Sequence, residues 1–434
     1  MTWNNITYAG WGRARKAKGD AARPERARAL TALSKEGPAM GNCRSYGDAS
    51  LNSGGKITDM TRLDRILSFD DKTGLLQVEA GMTLGELAEM FAPKGWLPMV
   101  MPGTGFCTVG GAIAMDVHGK NHHNEGSFGQ HITQITLIQN GVSRDVTPND
   151  DALWRATIGG LGQTGIIASA TMQLKSCKGD VMMVTERRAE NWDDHLAILD
   201  ASDATYVVGW IDATARGAAL GRGIVEEGET GAGLVTKPKK SRTIPMDAPN
   251  FALSAPIVKM FNNAYYRRVP AAGRTVVKPI QEFFFPLDKI HDWNRLYGKR
   301  GFHQFQCVVP LDQADALKEI LEKIAHSGLA SPLAVLKRMG PGRAGYMSFP
   351  MEGYTLAVDF PARDAAQSLI QQLEDKCLKA GGRIYLAKDA LSRGDNIKAM
   401  YTEYGQWAAE VAKADPTKTY ETDMVRRLQL RNEQ

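Results

Sequence analysis

Residues 101–129, MPGTGFCTVGGAIAMDVHGKNHHNEGSFG, constrain this chain more than any other stretch. They hold seven glycines and three of the chain's eight histidines. Glycine weakens helix and strand alike, so the segment is a poor candidate for either. It offers bare backbone that a flat or anionic group can approach, with N–H groups turned inward. Small apolar residues alternate with the glycines, where a free surface loop would be polar. Residues 112–114, after Gly110 and Gly111, read as a short helix whose N-terminus faces a phosphate. His118 follows within a turn or two. The segment reads as a bed for a dinucleotide cofactor.

A length of 434 residues argues for two or three domains. Hydrophobic residues make up 43% and charged residues 23%, which supplies an ordinary core and excludes global disorder. The net charge of +5 is mild. It suits contact with acidic lipid or a phosphorylated ligand and gives no reason to expect nucleic acid. The cysteines, Cys43, Cys107, Cys177, Cys307 and Cys377, are scattered without a C-x-x-C pair. Neither a disulfide framework nor a metal site follows, and a reducing compartment fits best. His122 and His123 have no carboxylate at ligand spacing, so no metal is expected there. The first twenty residues lack an apolar h-region, so no signal peptide is expected. No run of about 18 apolar residues occurs, so no membrane-spanning helix is expected. The expected location is the cytoplasm, with peripheral contact at the inner membrane face.

Periodicity organises the rest. A basic helical piece is expected over 21–34. Residues 41–52, GNCRSYGDASLN, form a turn cluster. Two strands and a helix follow, with Thr83 and Glu86 as a capping box. Residues 131–148 read as a hairpin turning at Asn140-Gly141. Residues 160–165, GLGQTG, match G-x-G-x-x-G, but a helix precedes them and a β-rich run follows. That order is inverted relative to a nicotinamide site, which the sequence therefore excludes. Beyond 181, strands at 302–310 and 353–361 are each followed by a helix, at 313–326 and 365–380. This pattern gives one sheet covered by helices.

Residues 237–280 are unusual. Nine Lys or Arg side chains face one acid, Asp247, and apolar pairs lie between the charges. Two readings stand open: a solvated loop, or a lid that touches a membrane surface or a lipid-phosphate ligand.

Three motifs together resemble the vanillyl-alcohol-oxidase type of FAD flavoprotein: GNCRSYGDASLN at 41–52, PGTGFCTVGGAIAMDVHGKNHH at 102–123 and GGRIYLAKDA at 381–390. Within that type they are most similar to the decaprenylphosphoryl-β-D-ribose 2-oxidase branch, the flavin subunits of a sugar 2-epimerase. The likeness spans nearly the whole chain. It implies an α+β, two-domain fold of the FAD-binding (PCMH) type. Residues 1–180 and 381–434 would form the FAD domain, and 181–380 a substrate (cap) domain built on an antiparallel sheet. It also implies FAD as cofactor and a polyprenyl-phosphate-linked pentose as substrate. The implied reaction is oxidation of a secondary hydroxyl, with an NAD(P)-dependent reductase partner completing the epimerisation.

The resemblance assigns residues. Gly41, Asn42, Cys43, Arg44, Ser45, Tyr46, Gly47 and Asp48 in the first loop would hold FAD. So would Gly103, Thr104, Thr108, Val109, Gly110, Gly111, Ala114, Asp116 and His118 in the second, with Ile166 and Tyr385. A pyrophosphate needs backbone N–H donors free of obstructing side chains, which suits both loops. Reduced flavin gathers negative charge at its pyrimidine edge, and Lys388 is the candidate to stabilise it. His118 is the candidate for proton transfer or substrate contact. On the cap sheet, Lys337 would meet the substrate phosphate, Gln304 and Gln306 the sugar, and Trp210 would be an aromatic wall. Relatives with a histidyl-linked flavin carry histidine where this chain has Arg44. Cys107 is one residue displaced from the cysteinyl position, so non-covalent FAD is expected. Where the family has cysteine this chain has Ala357, which leaves cysteine-trapping nitroaromatic inhibitors nothing to attack. Thr355 stands for an asparagine. Two rivals remain: a soluble aldonolactone or alditol oxidase of the same fold, and a flavin-binding protein without catalysis. Lys388 and His118 argue against the second.

Overall fold

The computed structural model describes residues 2–234 and 241–431. Lys237, Lys239 and Lys240 of the basic segment lie outside the described residues.

The N-terminal part holds two sheets. The first runs in the order Asn4–Ala9, Lys16–Ala22, Lys56–Asp59, Ala39–Met40. The second runs Ile66–Asp70, Leu75–Glu79, Ile166–Ser176, Ile132–Gln139, Val142–Val146, with Trp96–Pro98 also pairing to Ile166–Ser176. The expected hairpin turns at Asn140 and Gly141, both at positive φ. Thr83 and Glu86 close their capping box on the helix Leu84–Phe91. The basic helix expected over 21–34 is mostly absent. Ala21 and Ala22 end the strand Lys16–Ala22, and helical turns cover only Ala27–Ala29 and Leu30–Leu33. Two physical facts explain this: Pro24 cannot sit inside a helix, and the small Ala21 and Ala22 are buried in the sheet.

The third sheet is antiparallel and positions the site. Its order is Arg274–Pro279, Val181–Ala189, Gly223–Gly231, Tyr206–Ile211, Ala334–Met339, Gly353–Pro361, Phe302–Val309, Arg383–Ile384. Side chains alternate between faces along a strand. One face carries Phe305, Cys307, Leu336, Leu356 and Val358, which pack against the helices Ala314–Ser327 and Asp364–Lys379. The other carries Gln304, Gln306, Val335, Lys337, Thr355 and Ala357. Cross-strand register aligns Trp210 with Val335, Val335 with Ala357, and Ala357 with Gln306 in a single row.

The C-terminal residues return to the N-terminal part. The Tyr420 hydroxyl donates to the Ser34 carbonyl at 2.8 Å. Arg427 makes a two-pronged ion pair with Asp48 at 2.7 and 2.8 Å and also reaches Asp389 at 2.8 Å. The first glycine-rich loop and the segment bearing Lys388 are thereby tied through one guanidinium.

Candidate active site

A cavity of about 470 Å³ lies between the polar face of the third sheet and the glycine-rich loops. Gly41, Asn42, Cys43, Arg44, Ser45 and Tyr46 line one side. Gly103, Thr104, Thr108, Gly110, Gly111, Ala114 and His118 line another. Tyr385 and Lys388 enter from the C-terminal segment, and Trp210, Gln304, Gln306 and Lys337 from the sheet. Residues far apart in the chain thus meet around one space.

Five residues assigned from sequence do not line it. Gly47 packs so tightly that an added Cβ would fall 1.8 Å from the Asp389 carbonyl. Asp48 is occupied by Arg427. Val109 is wholly buried in the N-terminal core. Asp116, at positive φ, accepts from the Ser127 hydroxyl and the Gly129 N–H, both at 2.8 Å, from the Ala344 N–H at 3.1 Å and from Ser348. It braces the loop from behind. Ile166 points into the core, and strand alternation brings Ile167 to the cavity instead.

The anion site also differs from expectation. The helix Val109–Ala114 forms, with Thr108 as its cap. Its first N–H groups are already used: Val109 donates to Met82 at 2.8 Å, Gly110 to Ala80 at 2.8 Å and Gly111 to the Thr108 hydroxyl at 3.2 Å. The unused donors lie in the first loop. The N–H groups of Asn42, Cys43, Arg44 and Ser45 find no acceptor among the described residues, whereas Tyr46 N–H donates to Ala387 at 2.8 Å. Turn geometry there, with Cys43 at φ 49°, holds several N–H groups free together. The loop GLGQTG also contributes, because Leu161, Gly162 and Gly165 line the cavity although the order of elements excludes a nicotinamide fingerprint.

The chemistry concentrates at the deep wall. Lys337 Nζ lies 2.9 Å from His118 Nδ1 and donates to the Gly119 carbonyl at 3.2 Å. The Gln306 amide lies 3.2 Å from His118 Nε2 and donates to Thr355 Oγ1 at 3.3 Å. Burial holds His118 well below the ordinary histidine value, with Lys337, His122 and Lys388 adding repulsion, so the ring is neutral. Burial, Lys120 and Lys388 bring Lys337 down to about 7. Lys388 Nζ sits over the Tyr46 ring at 3.6 Å and hydrogen-bonds no group among the described residues. Arg44 is sandwiched between Trp11 at 4.2 Å and Phe106 at 4.5 Å, with its Nε unpaired. Burial pushes the Cys107 thiol up to about 12, which keeps it protonated.

Sequence reasoning missed several wall residues. Lys120 lies two residues beyond His118 and is brought down to about 8 by burial. Glu226, Tyr265 and Asp288 line the cavity too. Asp288 accepts from Thr104 Oγ1 at 2.9 Å and from the Gly105 N–H at 2.6 Å. For Lys120 the alternation His118–Lys120 was a usable signal. For Asp288 and Glu226 the chain offered none.

Residues 30–141 match the FAD binding domain family. The chain is 37% identical to decaprenylphosphoryl-β-D-ribose oxidase of Mycolicibacterium smegmatis over 426 residues, 93% of this chain and 92% of that protein. It belongs to the decaprenylphosphoryl-β-D-ribose oxidase family. An uncharacterised Streptomyces coelicolor protein is 31% identical over 80% of this chain and all of its own length. A D-lactate dehydrogenase of Anaerostipes hadrus shares 26% over only 30% of this chain. As a member of the decaprenylphosphoryl-ribose oxidase family, the chain is an FAD-dependent oxidoreductase with a two-domain α+β fold. The cavity fits that cofactor. Its glycine walls leave room for a dinucleotide, its free loop N–H groups suit a pyrophosphate, and Lys388 offers unshared donors at the deep end.

Proposed function

We propose that this chain oxidises a secondary hydroxyl of a polyprenyl-phosphate-linked pentose, carrying ribose to its 2-keto form as the first half of an epimerisation. The observation that carries this reading is the meeting of His118, Gln306, Lys337 and Lys388 around one cavity that Val208, Trp210, Tyr265 and Leu287 also line. The bound FAD would supply the hydride acceptor for the sugar carbon. Lys388 would stabilise negative charge gathering on that acceptor. The neutral His118 orients the hydroxyl and takes its proton at Nε2, where the Gln306 amide now lies. Lys337, held near neutrality, receives the matching proton from Nδ1 as an amine. Lys120 and Lys337 both line the cavity and repel one another, a pair that an anionic phosphate would stabilise. The cofactor is held without a covalent link, because Arg44 is stacked away and the Cys107 thiol is protonated.

The amphipathic helix Ala255–Arg267 supports peripheral contact with an acidic membrane. It turns Tyr265 to the cavity and leaves Met260 and Phe261 at 68% and 49% exposure. An NAD(P)-dependent reductase partner completes the epimerisation. The test is turnover with an artificial electron acceptor, comparing farnesylphosphoryl ribose with free aldonolactones and alditols. Preference for the lipid-linked sugar and release of a 2-keto product support the reading. Preference for a free lactone or alditol overturns it.

A further inference from the structure

Asp359 is a fully buried carboxylate on the cavity face of the strand Gly353–Pro361. Among the described residues no cation touches it. Its partners are neutral: the Gln304 amide at 2.5 Å, its cross-strand neighbour, and the Tyr297 hydroxyl at 3.1 Å, itself 2.9 Å from Ser331. Gln304 also faces the Tyr46 hydroxyl, and the Tyr46 ring carries the Lys388 ammonium at 3.6 Å. Burial raises the Asp359 carboxyl to about 7, so from that pH upward two buried opposite charges are held apart by Gln304 and Tyr46.

We propose that Asp359 is a positioning residue for Lys388: acting across Gln304 and Tyr46, its carboxylate keeps the Lys388 ammonium charged without occupying any of its N–H donors. A contacting carboxylate would also hold the charge, but it would consume the donors that the cofactor edge needs. Opposite charges at several ångströms still interact strongly inside a protein. The groups acting on Lys388 are few. Burial opposes its charge, as does the neighbouring cation Lys337, while Asp359 favours it; the Cys107 thiol beside it is protonated and carries no charge. His118 is neutral. Asp359 is therefore the one carboxylate among them.

The inference rests on the reading that Lys388 meets the flavin, and redox titration of the FAD-loaded protein across about pH 6 to 10 separates the two. Where Lys388 loses its proton, the flavin potential falls toward that of Lys388→Met. In Asp359→Asn this alkaline limb moves to lower pH by about one unit, and in the double variant with Lys388→Met it vanishes. Tyr297→Phe, which removes one donor to the carboxylate, moves the limb the same way by less. It decides the matter if Asp359→Asn does not retain FAD. An unmoved limb, or one moved to higher pH, overturns the proposal. If Lys388→Met has the wild-type potential at every pH, the assignment of Lys388 falls, and this proposal with it.

Discussion

Lys337 Nζ stands 2.9 Å from Nδ1 of His118, and among the described residues no carboxylate pairs with either. A lysine and a histidine in contact cannot both be charged at low cost in a buried site. The His118 ring is neutral and Lys337 is held to about 7, so the pair changes its protonation near physiological pH. That suits a group that must take a proton and later release it.

The first prediction concerns the cost of this arrangement. An ordinary lysine stays charged well above pH 7, so the unfolded chain binds more protons than the folded one from about 7 upward, and stability rises with pH there. Lys337→Met removes the penalty. The apoprotein should melt several degrees higher than wild type at about pH 6, with the difference shrinking at about pH 9, while turnover is lost. Calorimetry at both pH values checks this, and a variant less stable at pH 6 would contradict it.

Lys388→Met should lower the turnover number by roughly 10²–10³-fold, the usual cost of one preorganised donor to a developing anion. Substrate affinity should change far less. Rapid-mixing measurement of flavin reduction separates the two effects.

Arg427 serves two buried carboxylates at once, Asp48 and Asp389. Replacing it by Met leaves both uncompensated and should cost about 3–5 kcal/mol, with weaker FAD retention because Asp48 anchors the first loop. Burial raises the Asp389 carboxyl, but Arg427 and two backbone N–H groups outweigh this and hold it below the ordinary range. Its contribution is present at neutral pH and is lost as pH falls through its folded value. Urea unfolding of wild type and variant at about pH 7 and pH 4 should show the gap narrowing in acid.

Acid precipitation of the holoprotein should release all the flavin absorbance to the supernatant. Colour retained in the pellet would mean a covalent link and would make Cys107 the suspect.

Much of this was legible in the chain. The glycine-rich run, the Thr83 capping box, the Asn140-Gly141 hairpin and the inverted GLGQTG order are local signals, and each appears where periodicity and turn chemistry place it. What sequence hid was pairing across distance. The basic segment counted nine cations against Asp247, yet Arg268, Arg274 and Lys278 converge on the buried Glu186, which lies on another strand. They hold its carboxyl down to about 2. Linear charge counting therefore overstated the free positive charge. The helix N-terminus looked like the phosphate site because composition cannot show that Met82 and Ala80 take its donors. Asp359 went unread because an aspartate at the end of an apolar strand looks like the start of a turn.

The most direct test is an anaerobic titration of the FAD-loaded protein with farnesylphosphoryl-β-D-ribose, followed by the visible flavin absorption. The account predicts stoichiometric bleaching of the oxidised flavin with formation of the 2-keto sugar, and no bleaching on the same timescale in Lys388→Met. Bleaching by a free aldonolactone or alditol but not by the lipid-linked ribose would contradict it.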